Sequence, residues 1–127
     1  MQDYRKMRVW GKAHELTILI YKATSNFPST ETFGLVSQMR RAAYSIPMNI
    51  AEGCGRGSNA DFLRFLYMAL GSSHEIEYQI LLAKDLSYID ELLHQDLYAR
   101  IGEIKAMLIA LLNTIKRSSD GQKTTKR

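Results

Sequence analysis

A chain of 127 residues, 46% hydrophobic and 24% charged, suits a single globular domain with one core. Its longest unbroken apolar stretch, Ala106 to Leu112, falls short of the ~18 residues a membrane span needs, and the opening "MQDYRKMRVW" is charged where a secretory signal would be apolar, so a soluble, cytoplasmic protein without a membrane partner is expected. The net charge of +4 is uneven: residues 1–60 carry 8 Lys/Arg against 4 Asp/Glu, residues 61–117 carry 6 against 8, and the rest carry 3 against 1, an asymmetry that fits an anionic partner or a self-associating surface equally well.

Apolar residues recur at helical spacing nearly throughout, and no segment alternates long enough to predict a strand. The first helix is expected over about 4–25, with Trp10, Ala13, Thr17, Ile20 and Thr24 on one stripe joined by Val9, Leu16 and Tyr21. "NFPSTE" ends it, because Pro28 disfavours helix at Phe27 and Ser29 or Thr30 can cap the next helix. That second helix, about 31–53, aligns Leu35, Met39, Ala42, Ala43, Ile46 and Ile50. Pro47 inside it removes a backbone hydrogen bond, which predicts a kink between Ala43 and Pro47.

The third helix, about 59–86, begins after Ser58 or Asn59 and turns Phe62, Leu66, Ala69, Leu70, Ser73, Ile76, Ile80 and Leu81 inward. The fourth, about 90–117, has Leu93, Leu97, Ile101, Ile104, Leu108, Leu111 and Ile115 at spacings of 4, 4, 3, 4, 3 and 4, a coiled-coil-like seam. Short loops between long helices force antiparallel neighbours. The expected architecture is an all-α, antiparallel up-down-up-down four-helix bundle over residues 1–117, followed by a disordered basic tail, 118–127.

The glycine cluster in "SIPMNIAEGCGRGS" (Ser45–Ser58) invites a phosphate-cradle reading, but a P-loop needs a preceding strand and a lysine after its last glycine, and a dinucleotide fold needs a βαβ unit. Gly53, Gly55 and Gly57 follow a helix instead, so they read as a left-handed helix end and turn. Beside them Gln38, Arg41, Ser45, Asn49 and Glu52 form a polar row at spacings of 3, 4, 4 and 3. In the third helix Gly71 sits where another backbone could come close. Glu77 projects onto the apolar side and Glu75 onto the opposite one, and an inward carboxylate needs a cation such as Arg41. An ionic contact joining the second and third helices, within or between subunits, is therefore expected.

No chemistry-bearing constellation survives inspection. A di-iron bundle needs two E-x-x-H pairs and two more glutamates, and only Glu91–His94 has that spacing. "HELTI" at His14 lacks the second histidine of H-E-x-x-H. Cys54 is the only cysteine, which excludes an internal disulfide and a multi-cysteine metal site, and it follows no nucleophile signature. No catalytic residue, metal or cofactor is expected.

The stretches "VWGKAHEL" with Tyr21, "FPSTETFGLVSQMRRAAYSIPMNIAEGCGR", "FLRFLYMALGSSHEIE" and the looser apolar pattern of the fourth helix resemble the bacterial four-helix bundle proteins named for the intervening sequences of 23S ribosomal RNA genes. The resemblance covers residues 9 to about 115. It implies a homo-oligomeric ring of bundles, typically a pentamer, whose biochemical role is unknown for most members. The accessory variability determinants of diversity-generating retroelements form a related branch associated with nucleic acid, and nothing in this sequence places the chain there.

Two functional expectations result. One is an oligomer that binds RNA or single-stranded DNA through Arg5, Lys6, Arg8 and Lys12, assisted by Arg40, Arg41, Arg56 and the tail, with Tyr4 available to stack on bases and Trp10 assigned to the core. The other is an adaptor ring that binds another protein, its basic half docked against the acidic half of the next subunit. Gln38, Arg41, Ser45, Asn49, Glu52, Glu75 and Glu77 are expected to make polar contacts between helices or between subunits.

Overall fold

In the computed structural model, residues 3–125 are described, with side chains described for 3–118. Four helices account for most of the chain: α1, Arg8–Thr24; α2, Ser37–Cys54; α3, Asn59–Asp85; and α4, Glu91–Thr125. They form an antiparallel bundle in which α2 packs most extensively on α3, α3 on α4 and α1 on α2. A thinner α1–α4 contact closes the square. The α1–α2 and α3–α4 sides are therefore opposite sides of the molecule.

The core is what helical periodicity demands of four amphipathic helices. Leu16 and Ile20 of α1, Met39, Ile46 and Ile50 of α2, Leu66, Ile76 and Ile80 of α3, and Leu97, Ile101, Ile104 and Leu108 of α4 are fully buried. Seven residues placed on the apolar faces lie at their edges instead: Trp10, Leu35, Leu70, Leu93 and Leu111 are half-buried, and Tyr21 and Leu81 are exposed. An apolar stripe more than 100° wide includes flanks that two neighbouring helices do not fully cover.

The helix ends depart from the sequence expectation for local reasons. Residues 4–6 form a separate 3-10 turn capped by Asp3, and Met7 is extended (φ −81°, ψ 126°), so α1 proper starts at Arg8. Before α2 the chain passes through a 3-10 turn, Ser29–Glu31, and a wide turn, Thr32–Val36, with Gly34 outside helical geometry. The cap here is neither Ser29 nor Thr30. Glu31 Oε1 accepts from the Leu35 amide at 3.2 Å, and Oε2 accepts from the Tyr88 hydroxyl at 2.9 Å, which ties the α3–α4 loop to the start of α2. Ser58 caps α3 and Asp90 caps α4. α4 carries the helix to Thr125, past residue 117 where the apolar pattern ends. The side chains of 119–125 and all of residues 126 and 127 lie outside the described residues; of the expected disordered tail, 118–127, the backbone as far as Thr125 continues α4.

Pro47 is accommodated in a continuous α2. Its missing N–H would have served the Ala43 carbonyl one turn earlier, and Ala43 is wholly buried. The Thr17 hydroxyl of α1 lies 3.1 Å from that oxygen and 2.9 Å from the carbonyl of Ala13. A side chain of the neighbouring helix thus supplies the donor that proline lacks.

Candidate functional site

The glycine turn is a packing device. Gly53 is buried, and a Cβ there would meet Phe62 Cδ1 at 2.9 Å and Phe65 Cβ at 3.1 Å, so its lack of a side chain lets α3 come close to α2. No described glycine has positive φ, and Gly55 at the end of α2 sits at φ −83°, ψ −6°. The left-handed helix end expected here is absent among the described residues because two ordinary hydrogen bonds, Gly55 N–H to Glu52 O and Arg56 N–H to Gly53 O, close the turn. The left-handed residue lies elsewhere: Ser87, φ 64°. There the Ser87 and Tyr88 amides donate to Lys84 and Ala83 carbonyls, a Schellman closure of α3 with serine where glycine is usual. The buried Cys54 thiol donates to Met7 Sδ at 3.2 Å. Burial, reinforced by the Asp3 carboxylate, pushes this thiol above its ordinary range.

The seven cations nominated from the sequence separate into different environments. Arg40 serves the end of α1: Nε donates to Thr24 Oγ1 at 2.9 Å, Nη2 to Tyr21 O at 3.2 Å, and the guanidinium lies 4.6 Å from the Tyr21 ring centre. Arg41 donates to Gln38 at 3.2 Å and faces Glu75 at 3.9 Å. Arg56 pairs with Glu52 at 2.8 Å and covers the Phe65 ring. Arg8 and Lys12 both lean toward Glu103 of α4, at 3.8 and 3.5 Å. Arg5 and Lys6 are exposed and have no carboxylate partner among the described residues, Arg5 lying over the Tyr4 ring.

The polar row of α2 is largely a seam inside the bundle. Ser45 Oγ is 2.8 Å from Ser72 Oγ of α3, and the Asn49 amide donates to Ser45 O at 2.8 Å. An α2–α3 ionic contact exists, but Glu75 makes it, with Arg41. Glu77, expected to take Arg41, turns toward α4 and binds Lys105 at 3.1 and 3.2 Å, because its place on α3 is two residues, or about 200° of helix, away from Glu75. Glu91 lies near Lys84 at 3.2 Å and His94 at 3.9 Å, a surface cluster. Lys84 holds the Glu91 carboxyl below its usual range. Among the described residues no group of three His, Cys, Asp or Glu side chains could hold a metal, and no helix is long and apolar enough to cross a membrane.

Two faces stand out that helical projection assigned to the core or left unremarked. On the α1–α2 side, Trp10 stacks on His14 (4.9 Å, 7°) and tilts against Tyr4 (5.0 Å, 59°). With Tyr44, Pro47 and Met48 these rings line a shallow groove of about 280 Å3. On the α3–α4 side a groove of about 450 Å3 lies among His74, Glu77, Tyr78, Leu81, His94 and Tyr98. Exposed aromatic and aliphatic residues recurring at spacings of 4 and 3 were the available signal, as in His74, Tyr78 and Leu81.

A family model described as 23S rRNA-intervening sequence protein matches residues 5–110. Among solved structures the chain is similar to a protein with unknown function from the S23 ribosomal protein family of Bacteroides thetaiotaomicron VPI-5482. The two share 30% identity and a TM-score of 0.74, over 82% of this chain and 97% of that one. No curated protein matches the chain.

Proposed function

This chain belongs to the 23S rRNA-intervening sequence protein family, and on that premise we propose that it is a non-catalytic, cytoplasmic bundle that self-associates, as a pentameric ring by family resemblance, and binds RNA or single-stranded DNA through its N-terminal cations. The observation that carries the binding reading is the pair Arg5 and Lys6, exposed without a carboxylate partner among the described residues and adjacent to Tyr4. Arg8 and Lys12 extend this patch along α1, their single shared anion, Glu103, lying at the long end of ion-pair distance. In a ring, the patch repeats with each subunit, so a few cations per chain add up against a polyanion.

The test is the salt dependence of binding to mixed RNA and to single-stranded DNA. Each phosphate contact on a single strand contributes a slope of roughly 0.7 in log affinity against log salt, so an Arg5/Lys6/Arg8 triple alanine variant should flatten the slope by about 2. Absent or salt-insensitive binding of the parent refutes this reading. A second reading, an adaptor that binds another protein, is favoured by the partnered state of Arg40, Arg41 and Arg56 within the chain; it predicts that the parent binds neither nucleic acid.

A further inference from the structure

We infer that the α1–α2 face of one copy of this chain seats on the α3–α4 face of the next. The inference rests on the self-association proposed above and names the two surfaces that would carry it. The faces lie on opposite sides of the bundle, and each exposes large apolar side chains that no described residue covers. Met48 is 57% exposed and Tyr44 39% on the first; Tyr78 is 60% and Tyr98 54% on the second. Patches of aromatic residues and methionine of this kind mark protein contact surfaces. The α1–α2 half of the chain has an excess of 4 positive charges and the α3–α4 half through residue 117 an excess of 2 negative ones, so a contact between unlike halves of two copies is attractive and one between like halves is repulsive.

The exposed glycines of the α3–α4 face point to a neighbour outside the chain. Gly71 and Gly102 lie one turn from Tyr67 and Tyr98 on exposed helix surface, and a Cβ at either would meet nothing within 4 Å. Mid-helix glycine weakens a helix, and no neighbour inside the chain needs the gap; a close-packed second chain would. Because the two surfaces are different, the contact is head-to-tail, and repetition closes a ring or extends a filament.

The test uses two variants, each blocking one face at an exposed position: Met48→Glu and Tyr78→Glu. Light scattering, run without nucleic acid, should show the parent assembled and each variant alone as a monomer. An equimolar mixture should form a two-chain complex and nothing larger, since one intact face of each kind remains. Trp10, the only tryptophan, gives a second readout: in the assembled parent it should be shielded from acrylamide, and Tyr78→Glu, on the opposite side of its own chain, should expose it. An assembled parent whose mass survives either substitution, or variants that stay monomeric when mixed, overturns the pairing of faces while leaving self-association standing. A monomeric parent overturns both, and neither result depends on whether nucleic acid binds.

Discussion

Replacing Thr17 by valine removes one oxygen and keeps the branched shape, so the substitution isolates the hydrogen bond that Thr17 makes across helices. Of its two acceptors, the Ala13 carbonyl is one turn back in the same helix and is the regular acceptor for the Thr17 amide. The Ala43 carbonyl is different, because Pro47 has no N–H to give it and the site is fully buried. Leaving such an acceptor unmatched costs about 1–3 kcal/mol, which for a domain of this size lowers Tm by roughly 3–5 °C per kcal/mol. The informative experiment is a cycle of four proteins, parent, Thr17→Val, Pro47→Ala and both, unfolded in urea at one protein concentration. Alanine at 47 restores an amide to the Ala43 carbonyl, so Thr17→Val should cost at least about 1 kcal/mol less in that background, a coupling within the range measured for contacting residues. An equal cost in both backgrounds would refute the claim that Thr17 stands in for the missing amide.

Three further outcomes are expected. Gly53→Ala should destabilise by about 1–3 kcal/mol through overpacking against Phe62 and Phe65, whereas Gly55→Ala, whose nearest neighbour is a backbone oxygen at 3.5 Å, should be close to neutral; the difference in urea midpoints checks it. Ser87→Gly should stabilise the fold by up to ~1 kcal/mol, because serine pays a steric penalty at φ 64° that glycine does not, and thermal melts would register the gain. The Cys54 thiol, raised by burial and Asp3, should react slowly with a thiol reagent in the native protein and fast after unfolding. Its folded pKa lies above the unfolded one, so its contribution to stability is full below the ordinary thiol range and is lost as pH climbs through that range and beyond; Cys54→Ala should lessen the alkaline loss in a pH series of urea midpoints.

The helices were legible because a 3.6-residue repeat of apolar side chains has one common solution, a buried stripe, and Leu97 to Ile115 in α4 show it at nearly every step. Their ends were less legible, since the deciding contacts come from far along the chain. Glu31 caps the lead into α2 while holding Tyr88, 57 residues away. Ser87 takes the left-handed position that sequence would assign to glycine, and the glycines of the 53–57 turn take none. Pro47 correctly signalled a lost hydrogen bond; that Thr17 would replace it depends on how α1 and α2 meet, which no local pattern encodes.

Charge shows the same limit from the other side. Counting Lys and Arg finds a basic first half, but availability depends on what each cation faces. Arg40 is taken by carbonyls and hydroxyls at the end of α1, Arg41 and Arg56 by carboxylates, and Arg5 and Lys6 have neither kind of partner among the described residues. A guanidinium already matched by several acceptors must give them up to bind a phosphate, so it adds less to affinity than its formal charge implies. Exposed flank residues were misplaced for a related reason: on a helical projection the flank of an apolar stripe and its centre look alike, and only the position of the neighbouring helix separates the exposed Leu81 from the buried Ile80. Gly71 and Gly102 complete the argument, since their helical cost finds no compensation inside the chain. Residues that one copy of a sequence cannot account for direct attention to the surface where a second copy would.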